Sequence, residues 1–191
     1  MTQRRTGLFA ALALAALPAR AAELAPILDA VHWGEGSAEI ARSFGTRAVR
    51  LAHPIEFGDS YVDVALKDQM LGGYPFAVYF QMDVATHGLK RVMLERQRHG
   101  ANPRVYRAVL AALIQEYGPP ADRCRSPAAR RNGYQAEGER VWYDGGNAIR
   151  AVFSDTTLEA EGGCTPGGAP CGLTGHLFVQ ILPRTAGDPC G

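Results

Sequence analysis

"FAVYFQMD", residues 76–83, alternates without a break: Phe76, Val78, Phe80 and Met82 fall on one side, Ala77, Tyr79 and Gln81 on the other. Period two marks a strand, because successive side chains leave opposite faces of a pleated chain. A large apolar set facing a mixed set predicts an antiparallel sheet with one covered face. The neighbouring segments repeat the pattern. "RAVRLA" (47–52) alternates, "YVDVALKD" (61–68) places Val62, Val64 and Leu66 together, and "LKRVMLER" (89–96) adds Val92 and Leu94. Further on, "RVWYD" (140–144) and "AIRAVFS" (148–154) flank Gly145-Gly146-Asn147, a short hairpin turn, and "LTGHLFVQIL" (173–182) turns Leu173, Leu177, Val179 and Ile181 inward.

Two segments change period. "NPRVYRAVLAALIQEYGPP" (102–120) repeats Tyr106, Leu110, Leu113, Ile114 and Tyr117 at helical spacing. Asn102 suits the N-cap and Pro103 the first turn; Gly118 ends the helix and Pro119-Pro120 forbid its continuation. A shorter helix is predicted from Ser37 to Gly45, with Glu39 in its first turn where the helix dipole favours a carboxylate. The order is helix, four strands, helix, three strands, which reads as a doubled unit with lobes 32–97 and 102–183. "RSFGTRAVR" and "QEYGPPADR" stand at equivalent places in the two halves. The expected fold is α+β: one continuous antiparallel sheet with the helices on its back.

The amino terminus predicts export. "MTQRR" is basic, "TGLFAALALAALP" is apolar and uncharged, and Ala19 and Ala21 are the small residues a signal peptidase reads, which places cleavage after Ala21. The apolar run is shorter than the ~20 residues a membrane helix needs. Sec export is expected, and the Arg4-Arg5 pair also fits a twin-arginine signal. No cysteine lies near the cleavage point to take a lipid anchor, and no later segment is apolar enough to span a membrane. Residues 22–191 then form the secreted domain. Losing Arg4, Arg5 and Arg20 leaves 17 basic against 19 acidic residues, a formal net charge of −2 with no general pull toward nucleic acid.

All four cysteines, Cys124, Cys164, Cys171 and Cys190, follow the cleavage point. An even number in an oxidising compartment points to disulfides, and no C-x2–4-C pair suggests zinc. Three pairings are possible; the local choice joins Cys164 to Cys171 and leaves Cys124 with Cys190. On a chain-entropy model the small loop contributes roughly 2.5 kcal/mol and the large one roughly 4.4 kcal/mol. "GGCTPGGAPCG" (162–172) then reads as a stapled loop, with glycines and prolines allowing its tight path.

Catalytic patterns are scarce. No Gly-x-Ser-x-Gly elbow, H-x-H, H-E-x-x-H or phosphate-loop pattern occurs. "HPIEFGDSYVD" (53–63) gathers His53, Glu56, Asp59 and Asp63, but Pro54 and Gly58 scatter those side chains. The second sheet face is richer. Alternation assigns to it Tyr61, Asp63, Tyr79, Gln81, Arg91, Trp142, Arg150, His176, Phe178 and Gln180. Tyrosine, tryptophan and arginine are the types enriched at binding hot spots. Candidate binding residues are therefore Tyr61, Tyr79, Arg91, Trp142, Arg150, His176 and Phe178. The plainer alternative is a half-wet sheet, or a face covered by the loop 123–138 with its four arginines.

"HGLKRVMLERQ" (87–97), "YRAVLAALIQEYGPP" (106–120), "RVWYDGGNAIRAVFSD" (140–155) and the opening "HWGEGSAEIARSFG" (32–45) resemble a group of secreted bacterial α+β domains. Those share a Trp-Gly opening, a Gly-Leu-x-x-Val strand and a helix ending in Tyr-Gly-x-Pro. More distantly, the helix-then-meander plan is similar to the SmpA-type envelope lipoproteins and to the beta-lactamase inhibitor protein. Those two are binding proteins, but the likeness is one of architecture, which does not carry function, and the resemblance supplies no catalytic residue; the missing lipid-anchor cysteine departs from the lipoproteins. Taken together, the sequence predicts a non-enzymatic periplasmic binding module without cofactor or metal, its partner an envelope protein, a peptide or a small ligand. The alternatives are an envelope hydrolase or metal-dependent enzyme using His53, Glu56 and Asp63 or His176, and an inhibitor using the loop 162–172.

Overall fold

The computed structural model describes residues 24–96, 102–121, 137–155 and 175–184. The predicted signal peptide, all four cysteines, Leu173 and the loops 123–136 and 162–172 lie outside them. Helix α1 (Ala25–Leu28) and helix α2 (Ser37–Phe44) precede strands β1 (Ala48–Glu56), β2 (Ser60–Leu71), β3 (Tyr74–Asp83) and β4 (Leu89–Glu95). Helix α3 (Pro103–Tyr117) precedes β5 (Glu137–Asp144), β6 (Asn147–Asp155) and β7 (Gly175–Pro183). All seven strands form one antiparallel sheet in the order β1-β2-β3-β4-β7-β6-β5. Each half is a helix followed by a meander running from an outer edge inward, and the last strands, β4 and β7, meet at the centre.

The expected capping chemistry forms. Asn102 accepts from the backbone N–H groups of Arg104 and Val105, and the Gly118 N–H closes the end of α3 on Ile114 O. In α2 the Glu39 carboxylate accepts the Gly36 N–H at 3.0 Å, satisfying a donor the helix leaves unpaired. Helix α1 was not foreseen. Its first N–H groups, on Leu24 and Ala25, donate to Glu116 of α3, and Leu24, Ile27 and Val31 enter the core.

One core joins the three helices to one face of the sheet. Ile40 and Phe44 of α2 and Val105, Val109 and Leu113 of α3 pack with Val64, Leu66, Phe76, Val78, Phe80, Met82, Val92, Leu94, Leu177, Val179 and Ile181. The buried stripe of α3 is turned from the expected one: Val105 and Val109 are inside, while Ile114 is 46% exposed. Tyr106 and Leu110 pack only at its margin, because the helix lies over β5 and β6 with its 105-109-113 ridge inward. Among the described residues no helix is long and apolar enough to cross a membrane.

Two expected second-face residues belong to the helix face. Trp142 pairs in register with Ile149, and Ile149 with Ile181, all core residues. It is 1% exposed, and its indole N–H donates to Gly118 O at 2.9 Å, tying β5 to the end of α3. Tyr61 is opposite Met82 and packs at the core margin. The reason is a bulge: the register of β2 on β3 slips between Tyr61 and Ala65, so the parity that holds for Val64 and Leu66 reverses before Tyr61.

Candidate functional site

The remaining candidates share the second face, and the register places them. Tyr79 is opposite Met93, Met93 opposite Gln180, Gln180 opposite Arg150 and Arg150 opposite Val141, one row across five strands. The next row runs Ala77, Glu95, Phe178, Val152, Glu139. Gln81 pairs with Arg91 on the other side of Tyr79, and His176 stands opposite Ser154 at the far end. Tyr79, Arg91, Arg150 and Phe178 are half-buried and His176 is exposed. Between them Ala65, Ala77, Gln81, Val141 and Ala148 are buried, so the face is less open than alternation alone implied.

Both arginines are held by carboxylates. Arg150 donates through Nε at 2.7 Å to Glu139 Oε1, which its Nη2 also approaches at 2.6 Å. Its Nη1 lies 3.5 Å from Gln180 Oε1. Arg91 Nη2 is 3.2 Å from Asp59 Oδ2, which also takes Lys90 Nζ at 2.8 Å; Lys90 reaches Asp83 at 3.2 Å. The backbone N–H of Thr86, Lys90 and the backbone N–H of Ala85 hold the Asp83 carboxyl down at about 2. Burial, with the Glu95 charge beside it, pushes the Tyr79 hydroxyl up. Among the described residues Gln81 Oε1, Arg91 Nε and Asp63 Oδ1, on three adjacent strands, are buried without a hydrogen-bond partner. Gln81 Nε2 makes a weak contact with the Met93 sulfur at 3.7 Å.

The acidic segment 53–63 is dispersed. His53 and Glu56 are exposed on β1, His53 within and Glu56 beyond the register slip between Arg50 and Ile55, a stretch that also holds Pro54. Asp59 is committed to Lys90 and Arg91. Among the described residues no three His, Cys, Asp or Glu side chains stand where they could share a cation.

One hollow had no signal in the sequence. A half-open pocket of about 400 Å³ is lined by Leu28, Val31, His32, Trp33 and Asn147. The Trp33 indole N–H donates to Asn147 Oδ1 at 2.9 Å, joining residues 114 positions apart. That separation is why no local pattern reveals it.

Compared with protein-family models, curated proteins and solved structures, the chain matches none.

Proposed function

We propose that this protein is a non-enzymatic binding module of the periplasm that grips a polypeptide partner with the second face of its sheet. The observation that carries the reading is the row Tyr79–Met93–Gln180–Arg150, flanked by Phe178 and Arg91. Tyr79 to Arg150 spans three strand spacings, about 14 Å, room for roughly four extended residues. Aromatic and arginine side chains supply most of the energy at such surfaces, and a flexible methionine adapts to shape.

The charge pattern narrows the partner. Each arginine already faces a carboxylate, so the face is no trap for a bare anion. The unpartnered atoms are two acceptors and one donor, which a chain of amides complements with its N–H and C=O groups. They are buried in the free protein, so a partner meets them only when the side chains around them move.

The test is recovery of the partner from an envelope extract, followed by affinity measurement. Phe178→Ala and Arg150→Ala should each weaken binding by about tenfold or more while circular dichroism shows a folded chain. Unchanged affinity in both folded variants would exclude this face.

A further inference from the structure

We propose that the pocket beside Trp33 is a second, independent binding site, and that it takes a small organic cation. The hollow lies on the helix side of the sheet, away from the row just described. Its volume of about 400 Å³ fits a small molecule. Leu28 and Val31 give it apolar lining and Trp33 an aromatic side. The polar rim is oriented. An indole N–H only donates, so it fixes Asn147 Oδ1 toward Trp33 and turns the Asn147 amide nitrogen away.

One carboxylate stands beside the hollow, next to the lining residue His32. Glu35 Oε2 lies 3.5 Å from His32 Nδ1, and the other oxygen of Glu35 is buried and, among the described residues, without a hydrogen-bond partner. Asp29 follows Leu28 in the chain, and Asp144 is the register partner of Asn147. Burial, the hydrogen bond to Glu116 and the charges of Asp144 and Asp29 push the Tyr117 hydroxyl well up. The basic groups in this region are His32, which lines the hollow and faces Glu35, and Arg184, whose guanidinium is 4.4 Å from the Tyr143 ring centroid. A ligand entering here therefore meets apolar surface, an indole and, beside His32, the Glu35 carboxylate. An alkylammonium head with a small apolar body satisfies all three, because a cation is drawn to the face of an indole. A carboxylate ligand meets repulsion, and a neutral one forgoes the charge term.

The test uses the mature chain and tryptophan fluorescence, with choline chloride as the probe and ionic strength held constant. Its neutral carbon isostere, 3,3-dimethylbutan-1-ol, and sodium acetate serve as comparisons. Choline should give a saturable change, about tenfold tighter than the isostere, and acetate none. Trp33→Phe should abolish the response, although Trp142 still emits. Glu35→Gln, which keeps both tryptophans, should weaken choline several-fold. The proposal falls if choline and its isostere bind alike, if the response never saturates, if Trp33→Phe leaves it intact, or if Glu35→Gln leaves the affinity unchanged. None of these outcomes bears on the sheet face, whose test uses other residues and another partner.

Discussion

Trp142 shows at the scale of one residue how far alternation carries. Its aromatic character suggested a contact residue, yet parity along β5 is fixed by its register with β6, which sets Trp142 against Ile149 in the core. Five strand residues alone, "RVWYD", do not reveal which side faces the helices. Trp142→Ala should cost about 3–5 kcal/mol in urea unfolding, from the lost volume and the orphaned Gly118 carbonyl. Trp142→Phe should recover much of that cost. A near-neutral Trp142→Ala would place the indole outside the core after all. Asp83 gives a titration test. Its carboxyl is held at about 2, below the ordinary 3.8, by two backbone N–H groups and Lys90. The folded chain thus binds this proton less readily than the unfolded chain. The stabilisation is present above the unfolded pKa and is lost as pH falls through the folded one. Between about pH 4 and pH 2 the melting temperature should therefore fall more steeply in the parent than in Asp83→Asn. Parallel curves would show that the carboxylate does not contribute.

At the scale of elements, local chemistry was legible and long-range geometry was not. Asn102, Pro103 and Gly118 marked the ends of α3 because capping depends on adjacent residues. The inward ridge of α3 was less clear, since Val105-Val109-Leu113 and Tyr106-Leu110-Ile114 are both apolar and differ by one position. Only the partner surface chooses between them. Part of that choice is made by Gly72, in the turn between β2 and β3. It has φ +60°, and a Cβ built there falls 2.7 Å from the Ala108 carbonyl carbon of α3. Gly145, with φ +53°, has open space around it. Gly145→Ala should cost about 1–2 kcal/mol, the strain of the left-handed region alone. Gly72→Ala should cost at least about 1–3 kcal/mol more, because α3 must also shift. Equal losses in chemical denaturation would mean that α3 does not press on this turn.

For the whole molecule, the sequence predicted seven strands, two of the three helices and a single sheet with its helices on one face, and the structure has them. It could not supply the strand order at the centre, where β4 meets β7 across more than eighty residues, since no local pattern encodes that pairing. The proposed surface was partly legible. Tyr79, Arg91, Arg150, Phe178 and His176 share the second face, whereas the β2 bulge moved Tyr61 and the register of β5 moved Trp142. The hollow at Trp33 was invisible, because it exists only once residues 28–33 and 147 meet. The central claim is that the second face recognises a polypeptide partner. Site-specific photocrosslinking in intact envelopes of the native host tests it most directly, with a benzophenone residue placed at Phe178 or, as control, at exposed Ala111 on α3. The account expects a discrete adduct from position 178 and none from 111; an adduct from 111 with none from 178 would contradict it.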